Sequence, residues 1–418
     1  MHITTASPHP SHLTYCTNIH PGESWPQVFN NVQHYIPPLK ASLSPTAPFG
    51  IGLRLANIAA QALHGDTLAH FQTWLTEQDL YVFTLNGFPF GSFHGQVVKD
   101  RVYAPDWSQR SRLDYTKRLA HILAALLPSN VDGSISTLPL SYKPWWIDQS
   151  ARATILRDSS HQLALLAAEL IRLRQTTGKQ IHLDLEPEPD GLIETTIEAI
   201  DFFNHWLLPI GKTHLNAQLG LTPAAAEAHL REHIRICYDT CHFAVEYENP
   251  LTAFTQLQAA GIQVGKVQIS AALKVALPHS LAERHLLRER LQPFAESTYL
   301  HQVIARHADG TLHHYPDLAI ALPHLEHTTA VEWRTHFHVP IFVHDYDGLH
   351  STQDDIATVL RLLATSPASQ HFEIETYTWD VLPPALKTDI LPSIQREYEW
   401  VLETITSGSC KKQLSSMS

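Results

Sequence analysis

Short apolar, β-branched or aromatic runs recur along the chain, each followed by a polar cluster and then by a longer stretch of helical periodicity. Eight of them read as strands: Leu13–Thr17, Phe49–Arg54, Tyr81–Leu85, Gly133–Thr137, Gln180–Glu186, Ile234–Asp239, Gly265–Ile269 and Phe372–Thr376. The intervening segments repeat apolar residues at helical spacing, as at Leu163, Leu165, Leu166, Leu170 and Ile171, and again over Ile356–Leu363. The first seven runs start roughly 30 to 55 residues apart, room for a loop, a helix and a return loop. Such alternation predicts a parallel sheet. Seven or eight units, with no G-x-G-x-x-G turn of the kind an open doubly wound sheet carries, predict closure into a single (β/α)8 TIM barrel.

The seventh and eighth runs stand about 100 residues apart, too far for a plain connection. A long insertion is therefore expected at about 272–370, over the barrel mouth, with a helix at Leu281–Leu291 and a strand or buried loop at Thr335–His344. The barrel is read over residues 11–405, and the small, polar segment 406–418 as a disordered tail.

Composition narrows the class. With 44% hydrophobic and 17% charged residues the chain has ample material for a core. The net charge of -12, with no Lys/Arg run longer than Lys411-Lys412, argues against nucleic acid as a partner. Four cysteines, Cys16, Cys237, Cys241 and Cys410, are too few for a disulfide framework and lack zinc-finger spacing. No basic, apolar leader and no long uninterrupted apolar stretch occurs, so neither secretion nor a membrane span is expected, and a cytoplasmic location is.

A β/α barrel places its active site at the carboxyl ends of its strands, and here those ends are strongly polar. Thr17, Asn18 and His20 follow the first strand, Arg54 ends the second, Asn86 follows the third, and Ser141 and Lys143 lie past the fourth. Alternation in the fifth sends His182, Asp184 and Glu186 to one face, with Glu188 just beyond. Asp239 ends the sixth with His242 in the following turn, the seventh supplies Gln268 and Ser270, and the eighth supplies Glu373 and Glu375.

Glu186, Asp239 and Glu375, brought together inside a barrel, repel one another and lose hydration, and a divalent cation relieves both costs. An oxygen-rich set suits Mg or Mn, and Zn or Co where an imidazole joins. The alternative is that these carboxylates form structural ion pairs with Arg54, Lys143 and Lys266. His336 and His338 alternate on an extended segment that runs on to His344, a pattern that fits functional residues and an ordinary half-exposed strand equally.

Leu-Glu-Pro-Glu at 185–188, Asp-Thr-Cys-His at 239–242, Lys-Val-Gln-Ile-Ser at 266–270 and Glu-Ile-Glu at 373–375 resemble, in order and spacing, the xylose isomerase-like barrel superfamily of sugar phosphate isomerases and epimerases. Four longer strings resemble the EboE family of metabolite traffic proteins, over nearly the whole chain. They are Thr-Asn-Ile-His-Pro-Gly-Glu-Ser-Trp at 17–25, Phe-Gly-Ile-Gly-Leu-Arg-Leu at 49–55, Thr-Leu-Asn-Gly-Phe-Pro-Phe-Gly-Ser-Phe-His-Gly at 84–95 and Glu-Trp-Arg-Thr-His-Phe-His-Val-Pro at 332–340.

The superfamily resemblance implies a divalent metal (Mg, Mn, Co or Zn) on Glu186, Asp239, Gln268 and Glu375, where Gln268 replaces an imidazole. It implies catalytic roles for Glu186, Glu375 and His242, and a substrate contact at Arg334. The strand-end residues His20, Arg54, Asn86, Lys143 and Glu188 are further candidate substrate contacts. The Asp-Thr-Cys-His string also resembles the endonuclease IV branch, but Asn86 and Ser136 stand where that branch needs histidines.

The expected activity is isomerisation or epimerisation of a small polyhydroxylated or keto metabolite through an enediolate. A second expectation, from the EboE resemblance, is a metabolite-binding component that works with membrane partners of its pathway. A third is metal-assisted hydrolysis of a small ester or lactone.

Overall fold

The computed structural model describes residues 1–3 and 10–415, and only the backbone of 385 and 408–415. Eight parallel strands, β1 (Ser11–Tyr15), β2 (Phe49–Arg54), β3 (Leu80–Asn86), β4 (Gly133–Thr137), β5 (Ile181–Leu185), β6 (Ile234–Asp239), β7 (Val264–Ile269) and β8 (His371–Ile374), share one sheet. Their spatial order is β1, β8, β7, β6, β5, β4, β3, β2, and a short antiparallel strand, His2–Ile3, pairs with β1. All eight runs read from periodicity are strands, with ends shifted by a residue or two.

The ring is joined between β1 and β2 by a single Cys16–Gly52 bridge and by side-chain hydroxyls. Gly52 N donates to Thr14 Oγ1 at 2.8 Å, Thr14 Oγ1 donates to the Gly50 carbonyl at 3.1 Å, and Arg54 N donates to Thr17 Oγ1 at 2.8 Å. These hydroxyls satisfy backbone groups that a ladder would otherwise pair. Nearly every strand residue is buried, the signature of a parallel sheet covered by helices outside and side chains within.

The long outer helices bury one face each. In Gln149–Thr177 the buried Leu163, Leu166, Leu170 and Leu173 recur every three or four residues, Asp148 accepts from Ala151 N at 2.8 Å to cap the start, and Gly178 ends it at φ +72°. The last helix, Ile390–Ser415, buries Ile394, Tyr398, Val401 and Ile405 in the same way. Its backbone continues through residue 415, into the segment read as a tail; residues 416–418 lie outside the described residues.

Between β7 and β8 the chain builds a second sheet, antiparallel, in the order Leu312–Tyr315, Val303–His307, Ala330–Val339, Ala271–Ala276, Leu349–Ser351, Asp345–Tyr346. The helix expected at Leu281–Leu291 is present with those bounds. Ala271–Ala276 follows directly on β7, so this sheet rises from the carboxyl ends of the barrel strands. No helix among the described residues is long and apolar enough to cross a membrane.

Candidate functional site

The carboxyl ends of β5, β6 and β8 bring Glu186, Asp239 and Glu375 to one buried cluster. Glu186 follows β5, and its amide still pairs with the Thr137 carbonyl at 3.0 Å, which holds the residue on the end of the strand. Asp239 ends β6 and caps the helix Thr240–Val245: Oδ1 accepts from Cys241 N at 2.8 Å, His242 N at 3.0 Å and Ser270 Oγ at 2.6 Å. Its Oδ2 is buried without a partner. Glu375 Oε1 accepts from Asn18 Nδ2 at 2.8 Å and from Asn86 Nδ2 at 2.9 Å, so amides from the ends of β1 and β3 aim it.

His242 lies among the carboxylates, with Nδ1 3.8 Å from Glu186 Oε1 and Nε2 3.8 Å from Glu188 Oε2 and 3.9 Å from Asp239 Oδ1. Nδ1 also lies 3.1 Å from the Pro187 carbonyl, an acceptor, which assigns the ring hydrogen to Nδ1 and leaves Nε2 a bare lone pair. His336 and His338 reach the same place from the insertion. His336 Nδ1 faces Gln302 Oε1 at 2.9 Å, and His338 Nδ1 faces the Glu375 carbonyl at 2.9 Å.

Charge and burial act together here. Burial, then the negative charges of Glu375, Asp239 and Glu188, pushes Glu186 well above the usual carboxylate range. Burial, then Asp239 and Glu373, does the same to Glu375, and burial pushes Glu188 up to about 8. The imidazoles move the other way: burial lowers His242, burial with His242 and His338 holds His336 far down, and burial brings His338 to about 4. Neutral imidazoles and proton-hungry carboxylates are the state a cation-free cluster adopts.

Glu186 Oε2, Glu188 Oε1, Asp239 Oδ2, His336 Nε2 and His338 Nε2 are all buried with no hydrogen-bond partner. Asp239, His242 and His338 each offer one ligand atom within 4.8 Å of the other two, and so do Glu188, His242 and His336. Hard oxygens with a few neutral nitrogens fit a divalent cation. The cluster opens on a small cavity of about 60 Å³. Its floor is Asn18, Asn86, Glu186, Glu188, His242 and Glu375, and its walls include Phe88, Phe93, Val98, Tyr103, Tyr299 and Tyr377.

No protein-family model matches the chain, and no curated protein does. Solved structures do. A xylose isomerase-like TIM barrel protein from Mycobacterium smegmatis, in complex with magnesium, aligns at a TM-score of 0.50 and 12% identity over 97% of this chain and 99% of that one. The IolI protein with a zinc atom aligns at 0.47 and 10% identity over 95% and 98%, and a D-tagatose 3-epimerase-like protein at 0.47 and 9% over 95% and 98%. The fold is that of the xylose isomerase-like TIM barrels.

In this xylose isomerase-like barrel the expected site residues divide. Glu186, Glu188, His242, Asn86 and Glu375 line the cavity, and Asp239 adjoins them outside the lining, with Oδ1 3.9 Å from His242 Nε2. Gln268 lies beside Glu373: with its amide nitrogen turned to that residue it donates to Oε2 at 3.0 Å and to the main-chain oxygen at 3.3 Å. The other candidates do not line the cavity. His20 bonds Tyr15 OH at 2.9 Å and stacks on Tyr35. Arg54 pairs with Glu23 at 2.9 Å and bonds the Gly22 carbonyl, which ties rim loops together. Lys143 pairs with Glu194 and Glu198, and Arg334 with Glu332 and Asp355 over the Tyr247 ring.

The structural ion-pair alternative fails on these partners, since Arg54 and Lys143 pair elsewhere and Lys266 pairs with Glu373, deeper in the barrel. The residues that sequence reasoning did not assign are Asn18, His336, His338 and the aromatic wall. Their only signals were an amide just past the first strand and an alternating His-Phe-His, in which Phe337 turns the opposite way to pack on Phe294 and His301.

Proposed function

We propose that the cavity is the active site of a divalent-metal-dependent isomerase or epimerase acting on a small hydroxylated or keto metabolite. The observation that carries this reading is the set of buried, unpartnered lone pairs on Glu186, Glu188, Asp239, His336 and His338 at the mouth of a barrel. In the same fold, the Mycobacterium smegmatis protein is in complex with magnesium.

The cation, when bound, would supply positive charge beside the carbonyl and hydroxyl oxygens of the substrate and so favour loss of the hydrogen on the hydroxyl-bearing carbon. Glu186 and Glu375 remove and return that proton. Asn18 and Asn86 fix the Glu375 carboxylate, and His242, with Nδ1–H committed to Pro187, accepts a substrate hydroxyl at Nε2. The aromatic wall of Phe88, Phe93, Tyr103, Tyr299 and Tyr377 suits a substrate with an apolar or ring body beside its oxygens.

The test is proton exchange. The protein is incubated with candidate hydroxyketones in deuterated water, and deuterium entry at the hydroxyl-bearing carbon beside the carbonyl is followed by NMR. Exchange is expected in the natural protein, with a loss of roughly 100-fold or more in Glu186→Gln and in Glu375→Gln. A protein that neither retains metal nor exchanges any hydrogen overturns the reading.

A second reading, a carrier in an EboE-type metabolite traffic pathway with membrane partners, is favoured by where the EboE-like strings fall. They supply Asn18, Asn86, Phe88, Phe93 and His336 to the cavity lining. On that reading ligand binding persists in both glutamine variants and no exchange occurs.

A further inference from the structure

We infer that the imidazole of His338, delivered by the insertion, is the nitrogen ligand of the barrel's divalent cation, in the place that sequence resemblance gives to Gln268. This rests on the metal-centre reading above, and it concerns which part of the chain completes the centre.

Gln268 is engaged elsewhere. It projects from β7 beside Glu373 of β8, its register partner, and its amide nitrogen has two acceptors there, Glu373 Oε2 and the Glu373 main-chain oxygen. The Lys266 ammonium pairs with that same carboxylate and donates to Thr84 Oγ1 at 3.0 Å, so Gln268 belongs to a layer of paired groups below the cluster.

His338 has the opposite character. It is fully buried, its Nδ1–H is oriented by the Glu375 carbonyl at 2.9 Å, and its Nε2 has no partner. A ligating histidine typically has this arrangement, with one ring nitrogen held by a carbonyl so that the other presents its lone pair in a fixed direction. Asp239 offers a carboxylate oxygen within 4.8 Å of the His338 ligand nitrogen, a spacing that one ion at about 2.1 Å from each ligand needs little movement to bridge.

The backbone explains how an inserted strand reaches the site. Ala330–Val339 pairs antiparallel with Ala271–Ala276 from Glu332 to Thr335 and again at Val339, where the register has shifted: Thr335 faces Leu273 but Val339 faces Ala271. Residues 336–338 are therefore off the ladder between those two points, and an irregularity of this kind re-aims side chains. Two histidines of the off-ladder stretch turn toward Asp239 and Glu188, while Phe337 anchors its other side. His338 lies at the Asp239 level and His336 lines the cavity, which gives the ligand role to His338 and leaves His336 for the substrate.

The test uses the whole chain, stripped with a chelator and reloaded with cobalt(II), and reads equilibrium dialysis together with the visible absorption of the ion. His338→Gln is expected to weaken cobalt binding roughly 100-fold and to alter the absorption bands, whereas Gln268→Ala shifts affinity by no more than about three-fold. Because His338→Gln could misfold, the natural protein is also labelled with 15N-histidine and loaded with manganese(II), and pulsed electron paramagnetic resonance is expected to detect a directly bound imidazole nitrogen. Unchanged cobalt binding in His338→Gln, loss of binding only in Gln268→Ala, or no bound histidine nitrogen overturns the inference while metal binding itself stands. A natural protein that binds no cobalt at all overturns the metal-centre reading instead.

Discussion

Asn86 and Glu375, 289 residues apart in sequence, meet at 2.9 Å across the barrel mouth. Asn18 donates to the same oxygen at 2.8 Å, so two amides hold one face of the carboxylate and direct the other. A carboxylate that must ligate an ion or take up a proton in one geometry needs such outer support. Asn86→Ala is therefore expected to lower cobalt affinity roughly ten-fold while costing only about 1–2 kcal/mol of stability, checked by dialysis and by urea unfolding of the same preparation.

Much of this was legible in the sequence. Strand positions followed from apolar runs because parallel strands are buried on both faces, and the carboxyl ends then located Glu186, Asp239 and Glu375. The inserted sheet was not legible in the same way. Its central pairings, of Ala330–Val339 with Val303–His307 and with Ala271–Ala276, join segments far apart in sequence, and the shift in register between Thr335 and Val339 leaves no mark in the residue pattern. Arg54, Lys143 and Arg334 had the right chemistry for a substrate anion, but nothing in the sequence shows that Glu23, Glu194 and Glu332 neutralise them.

Lys266 and Glu373 form an ion pair with no solvent access, directly below the cluster. Lys266→Met leaves the carboxylate buried without its cation, a change expected to cost about 3–5 kcal/mol in urea unfolding. The double variant Lys266→Met with Glu373→Leu is expected to recover most of that loss. Gly52 belongs to the same layer, because a Cβ there would overlap Glu373 Oε1 and approach Thr14 Cγ2 to 2.8 Å. Gly52→Ala is expected to destabilise by about 1–3 kcal/mol.

His12 reports on acid stability. Burial, then the neighbouring His371 and His2, brings its pKa down to about 3, and its Nδ1 lies 2.9 Å from Tyr81 OH. A histidine held below its unfolded value of about 6.5 takes up its proton more readily in the unfolded chain. Its contribution is then complete above pH 6.5 and is lost as the pH falls from there toward 3. In His12→Gln that loss is absent, so the stability gap between natural and variant protein should narrow by about 1.4 kcal/mol for each pH unit below 6.5. Urea midpoints at pH 7, 6 and 5 measure it, and a gap that stays constant over that range contradicts the prediction.

The aromatic wall separates recognition of a substrate body from assembly of the polar floor. Phe93 packs against Tyr299 and Tyr377, with ring centroids 5.1 and 5.3 Å away, and its backbone amide is held by Glu23 Oε1 at 2.7 Å. Truncation of the ring therefore leaves the loop anchored and the carboxylate cluster untouched, but removes apolar surface from the cavity. A ligand with an apolar or ring body that buries against Phe93 loses about 1.5–3 kcal/mol, or roughly 10- to 150-fold in affinity. A small hydroxyketone that contacts only the floor loses almost nothing, and cobalt affinity stays as it was. Calorimetric titration of Phe93→Ala with ligands of both kinds distinguishes the outcomes. Equal loss for both would mean that Phe93 shapes the floor, and no loss for either would mean that the wall takes no part in recognition.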